Sequence, residues 1–220
     1  MKPMAKPNLK LIRQRAELLR ELRSFFDARD FLEVQPPCLS GDCVVDAYID
    51  PIEVDADQIR LGLELPSKFY LQTSPEAAMK RMLAAGAPSI YSLGPVFRGG
   101  ERGIEHNVEF TMLEWYQVNG DINDGIETLG SLASMIFQSD SFDVLEYREV
   151  FCQAIGLDPI DAPIESLRSL VADVDPALVQ PDRDSLLDTL LASQIQSTLG
   201  IERPLIVKNY PLSQAALARR

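Results

Sequence analysis

The sequence predicts an α+β fold, a mainly antiparallel sheet flanked by helices, and three observations point there. Ile90–Phe97 (IYSLGPVF) and His106–Tyr116 are two strand-forming runs joined by the glycine-rich, charged segment Arg98–Glu105, the pattern of a long-looped antiparallel hairpin. Near the start, Ile12, Leu18, Leu19, Leu22, Phe25 and Phe26 recur at helical spacing. After Gly120 apolar residues return to a helical period, now among acidic side chains.

Taken along the chain, the first helix is expected to end near Asp30, and Phe31–Val34 to form a strand that Pro36 and Pro37 terminate. Ile49–Val54 and Gln58–Leu63 are expected to pair as a hairpin across Asp55, Ala56 and Asp57, whose aspartates read as turn residues rather than metal ligands. Phe69–Thr73 reads as a strand. Ser74 then supplies an N-cap with Pro75 at the first helical position, and the helix runs to Ala85 and closes at Gly86. Beyond Gly120, Ile126, Leu129, Leu132, Ala133 and Ile136 form one apolar stripe. Helices follow at Tyr147–Ile155, Ile164–Val171 and Asp184–Leu199, stopped by Gly156, the Asp173–Pro176 region and Gly200. Leu205–Val207 suggests a short strand returning to the sheet, and no repeat or low-complexity segment is found.

The chemistry concentrates in the hairpin. From His106 the two-residue side-chain period puts His106, Val108, Phe110, Met112, Glu114 and Tyr116 on one face. With Arg98 opening the loop, that face suits an anionic, aromatic ligand. His106 is the chain's one histidine, and its place on Phe110's face favours a functional over a structural role.

Composition bounds the partners. The chain has 220 residues, 46% hydrophobic, and a mean hydropathy of −0.04, enough for one substantial core. It contains no apolar run of about 18 residues, and the N-terminus MKPMAKPNLK lacks a signal-peptide apolar region, so the cytoplasm is the expected compartment. Cys38, Cys43 and Cys152 show no CxxC or Cys/His spacing, which argues for free thiols over a disulfide framework or a zinc site. The net charge is −12, with eight Lys/Arg against four Asp/Glu in residues 1–30, and fifteen Asp/Glu against three Lys/Arg in residues 121–200. Phosphate backbones are held by clustered cations, so stable tRNA binding is not expected. Lys10, Arg13, Arg20 and Arg23 read as a solvated helix face in preference to a docking patch for an acidic protein.

The segment FRGGERGIEHNVEFTMLEWY, Phe97–Tyr116, resembles motif 2 of the class II aminoacyl-tRNA synthetases, and in detail the lysyl-tRNA-synthetase-like ligases that attach (R)-β-lysine to elongation factor P. YLQTSPEAAMKRMLAAG, Tyr70–Gly86, resembles that family's amino-acid-binding strand and helix. RAELLRELRSFFDARDFLEVQPPCLS, Arg15–Ser40, resembles motif 1, with Pro37 at its signature proline. YPLSQAALAR, Tyr210–Arg219, resembles the segment before the final catalytic strands. The likeness covers nearly the whole chain and stops short of motif 3. The expected architecture is therefore a class II synthetase-like core over residues 1–220, incomplete at its C-terminus, with motif 1 in 1–40, amino-acid and ATP-binding segments in 69–117, and an acidic helical insertion over 121–200.

What the resemblance implies is ATP-dependent activation of (R)-β-lysine or lysine as an adenylate, then acyl transfer to a lysine of elongation factor P. Arg98 is implied as the catalytic cation on the α-phosphate. Glu101, His106, Asn107 and Phe110 are implied as further ATP contacts, Phe110 stacking on adenine. Ser74, Glu76, Glu114 and Tyr116 are implied as amino-acid contacts; the plainer alternative for the first two is helix capping and dipole compensation. Pro37 and the motif 1 helix imply a homodimer interface, against the alternative of a helix packed on its own core. Mg²⁺ is implied as cofactor, with its acidic ligands and a second arginine in motif 3. The chain departs from the family pattern at Ala77, Ile104, Val108, Gln117 and Asn209. A catalytically inactive relative that binds nucleotide, amino acid or a protein partner is the alternative function, and a free-standing lysyl-tRNA synthetase is disfavoured by the negative charge and the absent anticodon-binding domain.

Overall fold

The computed structural model describes residues 8–44, 49–55, 57, 68–103, 106–172, 174 and 181–215. The chain divides into two compact units, Met1–Gly120 and Asp121–Arg220.

In the first unit, helix α1 (Leu9–Asp27) starts at Asn8, whose side chain accepts from the amides of Lys10 and Leu11 at 3.1 and 3.4 Å. Its last turns bury Leu22, Phe25 and Phe26, while Leu9, Leu11 and Ile12 stay exposed. Asp30, at φ 58°, turns the chain into strand β1 (Leu32–Glu33). The central sheet has the order β1-β5-β6, with β5 (Ile90–Phe97) and β6 (Glu109–Tyr116) forming the expected antiparallel hairpin from Ile90↔Tyr116 to Phe97↔Glu109. The short β1 runs parallel to β5, Leu32 against Ile90, so the sheet is mixed rather than wholly antiparallel. A second sheet pairs β4 (Lys68–Leu71) antiparallel with β2 (Leu39–Ser40) on one side and β3 (Glu53–Asp55) on the other. The expected Ile49–Val54 strand thus shortens and finds its partner in β4. Its proposed hairpin partner, Gln58–Leu63, lies outside the described residues.

Aromatic rings hold α1 to the central sheet. Phe26 is fully buried, stacks on Tyr91 at 4.8 Å, and touches Phe25, Phe31 and Trp115 with centroids at 5.2, 5.3 and 5.4 Å. The Tyr91 hydroxyl lies 3.1 Å from Asp27 and 3.2 Å from Glu33, and Glu33 also accepts from Arg23 Nε at 3.1 Å. Burial, then the charges of Glu33 and Asp27, push the Tyr91 hydroxyl well above its ordinary pKa. A raised folded-state pKa holds the proton more tightly than the unfolded chain does, so this contribution is complete at neutral pH and is lost as pH rises past the ordinary tyrosine value of about 10. We expect alkaline unfolding above that pH, followed by circular dichroism, with a shallower pH dependence in Tyr91→Phe.

In the second unit, helix α3 (Ile122–Phe137) follows α2, described below, and opens with a reciprocal capping box between Asp121 and Asp124. Of its expected apolar stripe Leu132 is buried, Ile126 and Ala133 are half-buried, and Leu129 and Ile136 are exposed; Thr128 and Gly130 are the other buried positions. At Gly130 a methyl group would overlap the Phe142 ring. Gly130→Ala is expected to cost about 1–3 kcal/mol by overpacking, read as a fall in the urea midpoint. The core gathers Tyr147, Val150 and Phe151 of α4 (Tyr147–Ile155), Leu167 and Val171 of α5 (Ile164–Ala172), Leu186, Leu187 and Leu190 of α6 (Arg183–Leu190), and Ile195 of a π-helical turn that continues α6. The strand expected at Leu205–Val207 is present as β8 (Leu205–Lys208). It pairs in parallel with β7 (Asp143–Glu146) in a separate two-stranded sheet, not with the central one.

Candidate active site

The loop after β5 is positioned by backbone contacts. Arg98 N donates to Val108 O at 2.9 Å, closing the hairpin ladder, and Gly99 N donates to Asp50 O at 2.7 Å. A Cβ on Gly99 would sit 3.1 Å from that carbonyl oxygen, and Gly100 takes φ +74°, so both glycines are required by the turn. Strand β6 begins at Glu109 rather than His106; His106 and Asn107 belong to the loop, with Gly103 N donating to His106 O at 3.2 Å.

The loop and the hairpin end enclose a cavity of about 670 Å³ lined by Arg98, Glu101, Arg102, Gly103, His106, Asn107 and Phe110. All five residues singled out for ATP therefore border one space. Arg98 is mostly buried, 23% exposed. Its Nε donates to Thr73 O at 3.3 Å, its Nη1 lies 3.8 Å from Glu101 Oε1, and its guanidinium carbon is 5.2 Å from the Phe110 ring centroid. A fork-shaped cation is thus held beside an aromatic face with room between them and solvent.

Farther along the same face of β6 lies a second cluster. Glu114 is four residues beyond Phe110, about 13 Å at the usual rise. Ser74 Oγ donates to Glu114 Oε2 at 2.7 Å, and the Tyr116 hydroxyl donates to Glu114 Oε1 at 2.9 Å. Ser74 Oγ in turn accepts from Glu76 N at 3.1 Å, so it ties the first helical amide to the carboxylate, while the N-cap position itself is taken by Pro75 and not by Ser74 as expected. That helix, α2 (Glu76–Ala84), begins one residue later than the spacing predicts, and Glu76 pairs with Lys80 one turn on. Burial, the Glu114 hydrogen bond, and the charges of Glu114 and Glu76 push the Tyr116 hydroxyl pKa strongly upward. With both oxygens of Glu114 already taking neutral donors, its charge remains available to a cation. Thr73 links the clusters: its carbonyl holds Arg98, and its neighbour Ser74 holds Glu114.

Pro37 is exposed and, with Ser74, Ala77 and Arg81, borders a smaller cavity of about 120 Å³. Of the other departures, Val108 contributes its carbonyl to Arg98, Asn209 takes φ 57° and donates to Glu146 at 2.7 Å, and Ile104 lies outside the described residues. Among the described residues no group of three or more His, Cys, Asp or Glu could hold a metal ion, so the described residues do not by themselves form a Mg²⁺ site. No helix among them is long and apolar enough to cross a membrane. Sequence reasoning missed Arg102 and Asp50. The charge of Arg102 inside a glycine-rich loop was a usable signal; Asp50, distant in sequence, offered none.

The family of class II tRNA synthetases (D, K and N) matches residues 2–164. The elongation factor P–(R)-β-lysine ligase of Pseudoalteromonas translucida is 39% identical over 211 residues, covering 94% of this chain and 64% of the relative. The ligase of the same name from Vibrio cholerae is 36% identical over 219 residues, covering 98% and 67%, and that from Edwardsiella ictaluri is 37% identical over 209 residues, covering 94% and 64%. The chain thus spans about two thirds of the length of these relatives. Its α+β architecture, its hairpin and these alignments agree: the chain belongs to the class II tRNA synthetase family, among the relatives named elongation factor P–(R)-β-lysine ligase.

Proposed function

We propose that this chain provides the nucleotide and amino-acid sites of a ligase that activates (R)-β-lysine or lysine with ATP and transfers it to a lysine of elongation factor P. The observation that carries the reading is Arg98 held 5.2 Å from the Phe110 ring at the edge of a large cavity, with Glu114 on the same strand face. In activation, a carboxylate oxygen of the amino acid bonds to the α-phosphorus of ATP while the α–β bridging P–O bond breaks, releasing pyrophosphate. In transfer, a lysine nitrogen of elongation factor P bonds to the acyl carbon, the acyl–phosphate C–O bond breaks, AMP departs and the amine loses a proton.

Arg98 stabilises charge developing on the α-phosphate, Phe110 stacks on the base, and His106, Asn107 and Glu101 border the nucleotide. Glu114, steadied by Ser74 and Tyr116, pairs with the ammonium group, and Glu76 adds a second negative charge nearby. The acidic balance disfavours a stable tRNA complex, and α1 with Pro37 supplies a homodimer face. The one second reading is an inactive relative that binds the same ligands, with the departures at Ala77, Ile104, Val108, Gln117 and Asn209 bearing on substrate preference and the grip on ATP. Amino-acid-dependent exchange of labelled pyrophosphate into ATP separates the two. Exchange with β-lysine, followed by labelling of elongation factor P, supports the ligase; ATP binding without exchange supports the inactive relative, and no ATP binding in calorimetry overturns both.

A further inference from the structure

The cavity beside Arg98 contains a second cation to which the reading above assigns no task. Arg102 lines it, four residues beyond Arg98 and past the Gly99–Gly100 turn. The charge of Arg98 is partly offset by Glu101, 3.8 Å away. The Arg102 amide is anchored to Gly100 O at 2.9 Å, while the residue itself is exposed, and no ion pair joins its guanidinium to any of the described residues. The cavity wall therefore offers one mostly buried, half-compensated cation next to an aromatic ring and one exposed, uncompensated cation farther along the loop. Residue 104, an isoleucine, adds no charge. Phe110, Arg98 and Arg102 line the same cavity, so a nucleotide whose base lies on Phe110 and whose first phosphate meets Arg98 shares that space with the Arg102 side chain.

We propose that Arg102 grips the polyphosphate tail of the nucleotide and so makes the site select a triphosphate over a monophosphate. The proposal rests on the nucleotide reading of this cavity. A guanidinium gains charge-assisted hydrogen bonds with each further phosphate within reach, whereas a monophosphate already satisfied by Arg98 gains nothing from it. The test is calorimetric titration of ATP and of AMP, without added magnesium, into the full chain and into Arg102→Ala and Arg102→Lys. In Arg102→Ala, ATP affinity should fall roughly tenfold while AMP affinity stays within about twofold, and lysine should restore part of the loss. The ATP-over-AMP preference of the unaltered chain should also shrink as salt is raised. If Arg102→Ala leaves the ATP-to-AMP ratio unchanged, or lowers both affinities together, Arg102 is only a solvated loop charge and the proposal fails alone. If the unaltered chain binds neither nucleotide, the nucleotide reading and this proposal fall together.

Discussion

Arg98→Ala is expected to reduce amino-acid-dependent pyrophosphate exchange by roughly 10²–10³-fold, the scale seen when one preorganised donor to developing charge is removed. Two effects add. The cation leaves the position beside Phe110, and Glu101, which faced it at 3.8 Å, loses that partner on the wall of the proposed nucleotide cavity. Folding should survive, because Arg98 supports the structure through one side-chain bond to Thr73 O and lies in a loop still pinned by its own amide and by Gly99. Arg98→Lys should recover little, since a point charge cannot span two oxygens as a planar fork does. Unchanged ATP binding and exchange in Arg98→Ala would remove the central cation from the mechanism.

Glu114→Gln is expected to raise the KM for lysine or β-lysine about a hundredfold, with the KM for ATP little changed, because under the proposed function it removes a charge-assisted contact to the amino acid and not a nucleotide contact. The substitution is nearly isosteric, and Ser74 and Tyr116 can turn their hydroxyls to suit an amide, so stability should hold. A second readout reports the loss of the charge independently of substrate. Glu114 contributes, after burial, to the elevated pKa of Tyr116, so the Tyr116 hydroxyl should ionise at lower pH in Glu114→Gln, followed by tyrosinate absorbance. If that titration shifts while the KM for the amino acid stays put, Glu114 tunes its neighbour and does not bind the substrate.

Local pattern made much of this legible. Helix α4 has the ends the sequence predicts, Tyr147–Ile155, because Gly156 in a left-handed conformation stops it sharply. The hairpin of β5 and β6 follows from two strand-forming runs beside one charged loop, and every residue expected to touch ATP lies within Arg98–Phe110, a stretch short enough for the hairpin alone to bring together. The stripe on α3 is only partly covered, with Leu132 buried and Leu129 and Ile136 exposed, because periodicity reports which residues are apolar and not which of them the fold covers. Strand β7 went unseen: four residues with two exposed carry no period, and their pairing with β8 spans three helices.

The sequence by itself determined the kinds of element, the family resemblance and the chemical inventory of the site, all of which reside in local spacing and residue type. Only the tertiary structure decided that Thr73 and Ser74 bridge Arg98 to Glu114, that Asp50 pins the loop glycine, and that Arg102 shares the cavity with Arg98. The first two depend on contacts between segments far apart in the chain, and the third on how the loop between β5 and β6 folds. Such contacts are selected by the packing of a whole core, which no short window of residues encodes.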